Sequence, residues 1–220
     1  LSEEAAIAVP KDDLKALVDG NNVFAIDLYK KLAEKEPGNI VISPYSISTA
    51  LAMTYAGARG KTAEEMAKVL HFRLPPDRLH PAFKGVTQHL RSGRDKSYQL
   101  SIANGLWGQK GFPFEASFLE LNRQNYGGGF REVDFVGNPD ASRQTINKWV
   151  EEQTENKIKD LLQKDDIDSL TRLVLTNAIF FRGNWKHPFD KARTQDADFE
   201  TALGVKVKVP MMSQTEELRW

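Results

Sequence analysis

The chain contains no cysteine. That absence excludes a disulfide scaffold, a thiolate nucleophile, a cysteine-rich zinc site and an iron–sulfur cluster. It leaves the compartment open, because a chain of 220 residues can stand on its core alone. Net charge of one sign is absent too: thirty Lys and Arg balance thirty Asp and Glu, at a pI near 7.1. No excess positive charge is there to neutralise a phosphate backbone, so nucleic acid is not expected as a partner. Long hydrophobic runs are also missing. One uncharged stretch of 20 residues, Asn39 to Ala58, matches a bilayer in length. It is interrupted by Asn39, Ser43, Pro44, Ser46, Ser48, Thr49 and Thr54, and Ile47, Leu51 and Tyr55 recur every four residues, as on one face of a packed helix. No membrane span is expected. The chain opens without a basic segment followed by an apolar one, so any signal peptide is expected to have been removed or never to have existed.

Signatures of catalysis are equally scarce. His71, His80, His89 and His187 are scattered, with no two at ligand spacing, and read as surface histidines. Asp165, Asp166 and Asp168 lack the glycine and bidentate glutamate of a calcium loop and read as a solvated turn. There is no G-x-S-x-G elbow and no G-x-x-x-x-G-K loop, and Gly127 to Gly129 does not complete a dinucleotide loop. Neither a metal nor a cofactor is expected, and the chain does not read as an enzyme. Arg78, Lys84, Arg91 and Arg94 lie in or just after one predicted helix and are a weak candidate contact for a polyanion such as a sulfated glycan. Asp77 and Asp95 flank them, as on a solvated face.

What is present is a globular pattern of helices followed by strands. Residues 1–20 lack a sustained period and read as a lead segment, partly helical over Asp13 to Val18. Asn21 or Asn22 then caps a helix carrying Phe24, Leu28 and Leu32. Ile40 to Ile42 predicts a short strand. Ser43 predicts an N-cap with Pro44 at the first helical position, the helix running to about Ala58. Thr62 and Glu65 suggest a capping box for a helix presenting Met66, Val69 and Leu70. Further helices are predicted over Asp77 to Leu90 and after Pro113, the latter broken by the Gly127 to Gly129 run ahead of a strand near Phe130 to Phe135. A long one starts near Asp140, with Ile146, Trp149, Val150 and Thr154 inward.

Tyr98 to Trp107 alternates, with Leu100, Ile102, Asn104 and Leu106 on one face and Ser101, Ala103, Gly105 and Trp107 on the other. Thr171 to Phe181 is apolar on both faces and predicts a central strand in a covered sheet. Val205, Val207 and Val209 mark a one-sided strand ended by Pro210, and Leu218 to Trp220 suggests the start of another. Polar residues in apolar surroundings stand out. Asn177 sits inside the most apolar strand, and Ser43 and Ser46 open the most apolar helix. Capping and backbone satisfaction would account for them. A buried hydrogen-bond cluster joining helix to sheet would account for them as well.

These residues resemble a known family. Ser43 to Met53 followed by Gly57 to Thr62 is similar to the second-helix region of the serpins, Asn177 to Trp185 to their central-strand signature, and Val209 to Met212 to a third serpin block. Asn104 to Trp107 and Ile146 to Val150 match two weaker blocks, all collinear, over about Asn21 to Trp220. The triple glycine at Gly127 is unusual for the family. The resemblance implies an α+β fold, with helices packed on a large central mixed or antiparallel sheet and on smaller sheets. It also implies that residues 21–220 are a partial serpin domain whose C-terminal part, with the reactive loop, is absent. The implied activity is protease inhibition: an exposed loop baits a serine or cysteine protease, is cleaved to an acyl-enzyme and inserts as a strand into the central sheet. Some serpins are instead carriers or chaperones. By motif position the resemblance assigns Ser43, Ser46 and Asn177 to the shutter beneath the opening strands and Trp185 to the breach where insertion starts. It assigns Asn147, Trp149 and Thr154 to the helix lying across the sheet, and it implies an extracellular or secreted setting.

Overall fold

Helix formation begins earlier than the pattern predicts. In a computed structural model, which describes residues 9–35, 38–91, 98–127 and 130–215, α1 runs unbroken from Lys11 to Ala33. Asn21 and Asn22 lie inside it and cap nothing. Its buried face is Asp13, Leu17, Gly20 and Phe24, a helical spacing hidden in the sequence because two of the four are a charge and a glycine. Each has a reason to face inward. Asp13, 2% exposed, accepts a two-pronged hydrogen bond from Arg78 of α4. A Cβ on Gly20 would stand 2.4 Å from the carbonyl oxygen of His71, so only glycine allows that approach.

The remaining helices are α2 (Pro44–Tyr55), α3 (Gly60–Val69), α4 (Pro76–Arg91), α5 (Ala116–Tyr126) and α6 (Pro139–Gln153). Ser43 does stand at the N-cap of α2 with Pro44 following, but its side chain makes no capping hydrogen bond. The capping box at Thr62 and Glu65 is not formed. α3 already begins at Gly60 after Arg59, and Glu65 faces Lys61 at 3.7 Å. Leu70 is buried as predicted, whereas Val69 is 65% exposed. Gly127 ends α5 in the left-handed conformation at φ 61°, which favours glycine at a helix C-terminus. No described helix is long and apolar enough to cross a membrane.

Two compact units divide the chain, residues 1–94 with 100–181, and residues 95–99 with 182–220. The first holds the helices around a three-stranded sheet ordered β2–β1–β3, with β1 at Tyr98–Gln109, β2 at Phe130–Val133 and β3 at Leu173–Gly183. β1 and β2 are parallel, Leu106 opposite Phe130. β1 and β3 are antiparallel, since Gln109 meets Arg172, Gly105 meets Thr176 and Asn104 meets Asn177. The sheet is therefore mixed. Its two faces are as the alternation predicts. Leu106 and Leu175 pack with Ala52 and Met53 of α2, and Ala103, Trp107, Val174 and Ala178 pack with Ile146, Trp149 and Val150 of α6. The central strand is β1, buried from Ile102 to Gln109. Thr171 to Phe181, predicted to be central, forms an edge strand among the described residues, and Phe181 is 65% exposed. An apolar run reports that both faces are covered, not that both edges are paired.

In the second unit β4 (Gln195–Glu200) pairs antiparallel with β5 (Lys206–Met211), Phe199 opposite Val207. Pro210 does not end β5 but pairs with Asp196 inside it, as an edge strand tolerates. β4 has no clear apolar alternation and was not legible. Ile40 to Ile42 forms no strand, and Val41 is 95% exposed, because no neighbouring strand pairs with it among the described residues. The strand suggested at Leu218 to Trp220 lies outside the described residues.

His80 corrects the reading of all four histidines as surface groups: it is 1% exposed in the core beside Tyr55, Phe83 and Tyr126. Sequence spacing alone could not find it, because it lies next to Leu79 on a helix whose buried stripe is wide. Burial lowers its pKa from 6.5 to about 4. The unfolded chain therefore binds a proton between these values that the folded chain refuses. Full stability is present above pH 6.5 and falls as the pH drops toward about 4, by at most about 1.4 kcal/mol per pH unit. Urea midpoints across this range are expected to show that decline in the parent sequence and a flatter profile in His80→Gln.

Candidate functional site

Where α2 lies under the β1–β3 pair, three polar side chains form one chain of hydrogen bonds. Ser46 on the first turn of α2 donates through Oγ to Asn177 Oδ1, and Asn177 donates through Nδ2 to Asn104 Oδ1. Ser46 and Asn104 are 4% and 6% exposed, and Asn177 is half-buried between them. The register places the two amides opposite one another across the strands, on the α2 face with Leu106 and Leu175. In a layer otherwise apolar each unmet amide would carry the full cost of dehydration, so the three groups hold one another in place. Ser43 sits one turn earlier without a side-chain bond to this chain; its carbonyl accepts from Ile47 N at 3.1 Å. Two residues further along α2, Ser48 Oγ is buried without a partner among the described residues.

The opposite face is built on Trp107. Its Nε1 donates to Thr176 Oγ1 at 3.0 Å, and its ring meets Trp149 of α6 edge-on at 5.5 Å. Arg131 of β2 lies over both rings, 5.2 Å from Trp107 and 4.8 Å from Trp149. Gly105 leaves room for this arrangement: a Cβ there would stand 2.6 Å from Thr176 Oγ1 and 3.0 Å from the Trp149 ring. Asn147 grips the strap after α6 at both backbone polar groups of one residue, donating to Leu162 O at 2.9 Å and accepting from Leu162 N at 2.8 Å. Thr154, fully buried at the end of α6, donates to Val150 O and accepts from Ile158 N at 3.2 Å. The three residues predicted on the sheet-covering helix thus have distinct tasks. Trp149 touches the sheet, Asn147 ties down the following segment and Thr154 closes the helix end.

Other predicted positions do not join this site. Trp185 belongs to the second unit, where it is 65% exposed and packs edge-on against Phe189 at 5.6 Å. Arg78 is not a free cation for a polyanion, because its guanidinium is spent on Asp13, whose carboxyl it holds below the usual range. Lys84 is half-buried on α4, and the Arg91 side chain and Arg94 lie outside the described residues. Sequence reasoning missed three members of the site: Asn104, Trp107 and Arg131. For Asn104 the signal existed, since it is the only polar residue among Leu100, Ile102 and Leu106 on its face, as Asn177 is on the facing strand.

A family model described as Serpin (serine protease inhibitor) matches residues 19–220. The chain belongs to the serpin family. It is 40% identical over 208 residues to the human leukocyte elastase inhibitor, covering 94% of this chain and 54% of that protein. It is 43% identical over 203 residues to an uncharacterised serpin-like protein of Thermococcus kodakarensis, covering 92% of this chain and 47% of that protein. In structure it resembles emu ovalbumin, with a TM-score of 0.83 at 31% identity over 90% of this chain and 54% of that one. This serpin chain spans about half the length of the relatives it matches. Its helices and mixed sheet are those of an α+β serpin fold.

The coupling within the polar cluster is measurable. Ser46→Ala and Asn177→Ala are each expected to destabilise by about 1–3 kcal/mol, and the double variant by clearly less than their sum, because the second loss removes a bond already broken. Denaturant unfolding of the two single variants and the double variant checks this.

Proposed function

We propose that these residues form the sheet-bearing part of an inhibitor that traps a serine or cysteine protease. A loop beyond these residues would be cleaved to an acyl-enzyme and would then insert as a new strand beside β3, carrying the bound protease with it. The observation that carries this reading is the Ser46–Asn177–Asn104 chain. It is a directional, breakable contact between a helix and the strand that must move, in a place where apolar packing alone would suffice for stability. The edge of β3, unpaired among the described residues, is where a strand would add. The name of the human relative, an inhibitor of elastase, supports the same class of target.

In this reading Ser46 and Asn177 act as the shutter, Ser43 shapes the start of the helix beneath it, and Trp185 marks the end of β3 where insertion begins. α6, held by Trp149, Asn147 and Thr154, must yield and return as the sheet expands. The fit of α6 to the sheet through Trp107 and Arg131 would then set how readily it yields.

Mixing the full-length protein with a panel of serine and cysteine proteases is expected to give a covalent complex that survives denaturing electrophoresis. Loop cleavage without any covalent complex would assign the protein to the carrier or chaperone class instead. Asn177→Ala is expected to shift the ratio of trapping to simple cleavage by about tenfold, the effect of about 1.4 kcal/mol on an opening equilibrium. An unchanged ratio and unchanged polymerisation on warming would remove Asn177 from the shutter.

A further inference from the structure

A cavity of about 700 Å³ opens between α4 and α5, and His80 lines it from the core side. The same residue borders a second cavity of about 310 Å³ beside α2 and α3. The two nitrogens of its ring have unlike surroundings. Nδ1 lies 2.5 Å from the Tyr126 hydroxyl. Among the described residues Nε2 has no hydrogen-bond partner, and the atom is not sealed from solvent-sized space. Since the side chain is 1% exposed, the space that Nε2 meets belongs to the cavities His80 borders.

The tautomer follows from the hydrogen-bond accounting. Tyr126 is 6% exposed, and Nδ1 is the acceptor its hydroxyl reaches. A buried hydroxyl needs an acceptor, so Tyr126 donates to Nδ1 and the ring proton resides on Nε2. His80 therefore offers a fixed N–H donor to the space between these helices, of which the cavity of about 700 Å³ is the larger part. Around the larger cavity, Pro76 and Pro81 of α4 and Leu121 of α5 supply apolar wall, and Ser117 supplies a further donor. Of the two carboxylates at the rim, Glu120 already accepts from Arg123 and Gln124, which leaves Asp77 at the start of α4.

We propose that this cavity binds a small organic carboxylate, one oxygen accepting the Nε2–H of His80 and the apolar body lying against Pro76, Pro81 and Leu121. The site is separate from the Ser46–Asn177–Asn104 cluster and does not depend on how that cluster works. The probe is benzoate, added to the full protein while the histidine rings are followed by long-range proton–nitrogen NMR. The protonated nitrogen of His80 is expected to be Nε2, and its resonance should move with a Kd on the order of 1 mM, whereas benzyl alcohol binds at least about tenfold more weakly. His80→Phe keeps an aromatic ring but removes the donor and is expected to weaken benzoate by about tenfold or more. Tyr126→Phe releases the tautomer and is expected to weaken it less. If His80→Phe does not fold, the resonance in the parent protein decides alone. A proton on Nδ1, an Nε2 resonance unmoved by benzoate, or equal binding of the two probes overturns the proposal.

Discussion

Covering a strand pair on both faces takes water from the polar side chains in its middle, and Asn104, buried, and Asn177, half-buried, are such side chains. Each amide brings donors and acceptors into a layer made of Leu106, Leu175, Ala52 and Met53. Antiparallel register sets the two amides opposite each other, and the first turn of α2 delivers Ser46 to complete the chain. The position of α2 under the sheet, the register of β3 on β1 and the orientation of two amides are thereby one linked condition. Apolar contacts of the same area would tolerate sliding, whereas hydrogen bonds made in a dry layer do not.

The other face of the sheet is held in a different way. Trp107, Trp149 and Arg131 give α6 a broad contact of rings and cation, supported by the small residues Gly105 and Ala103 beneath it. Cation–π and edge-on ring contacts are individually modest. α6 is secured further at its ends, by the grip of Asn147 on Leu162 and by the closure at Thr154. The sheet is thus held by a directional polar contact on one side and by a broad, shallow one on the other.

Away from the sheet, α1 and α4 are joined by a charge pair with one buried member. Asp13 is sheltered, and Arg78 reaches it from a half-exposed position. Such a pair adds little net stability over an apolar contact but is costly to break from one side, which orients the helices relative to each other. His80 adds a neutral polar group to the same core, tied to Tyr126. Both had been read as surface features from their residue types, and both owe their roles to neighbours more than forty residues away.

Much of the fold was legible in the sequence because it rests on local periodicity. The alternation from Tyr98 assigned each face of β1 correctly, the spacing of Ile146, Trp149 and Val150 located α6, and Asn177 was conspicuous as an amide in an apolar run. Collinear blocks then pointed to the family, which the match over residues 19–220 shows. Tertiary structure decided what local pattern cannot encode. It turned α1 inward on Asp13 and Gly20, made Asn104 the partner of Asn177, set Arg131 over two tryptophans, sank His80 into the core and left β3 at an edge among the described residues. The physical reason is common to all of these. Periodicity reports which face of an element is dry, while the partner that satisfies a charge, an amide or a strand edge comes from a distant part of the chain and is chosen only when the chain packs.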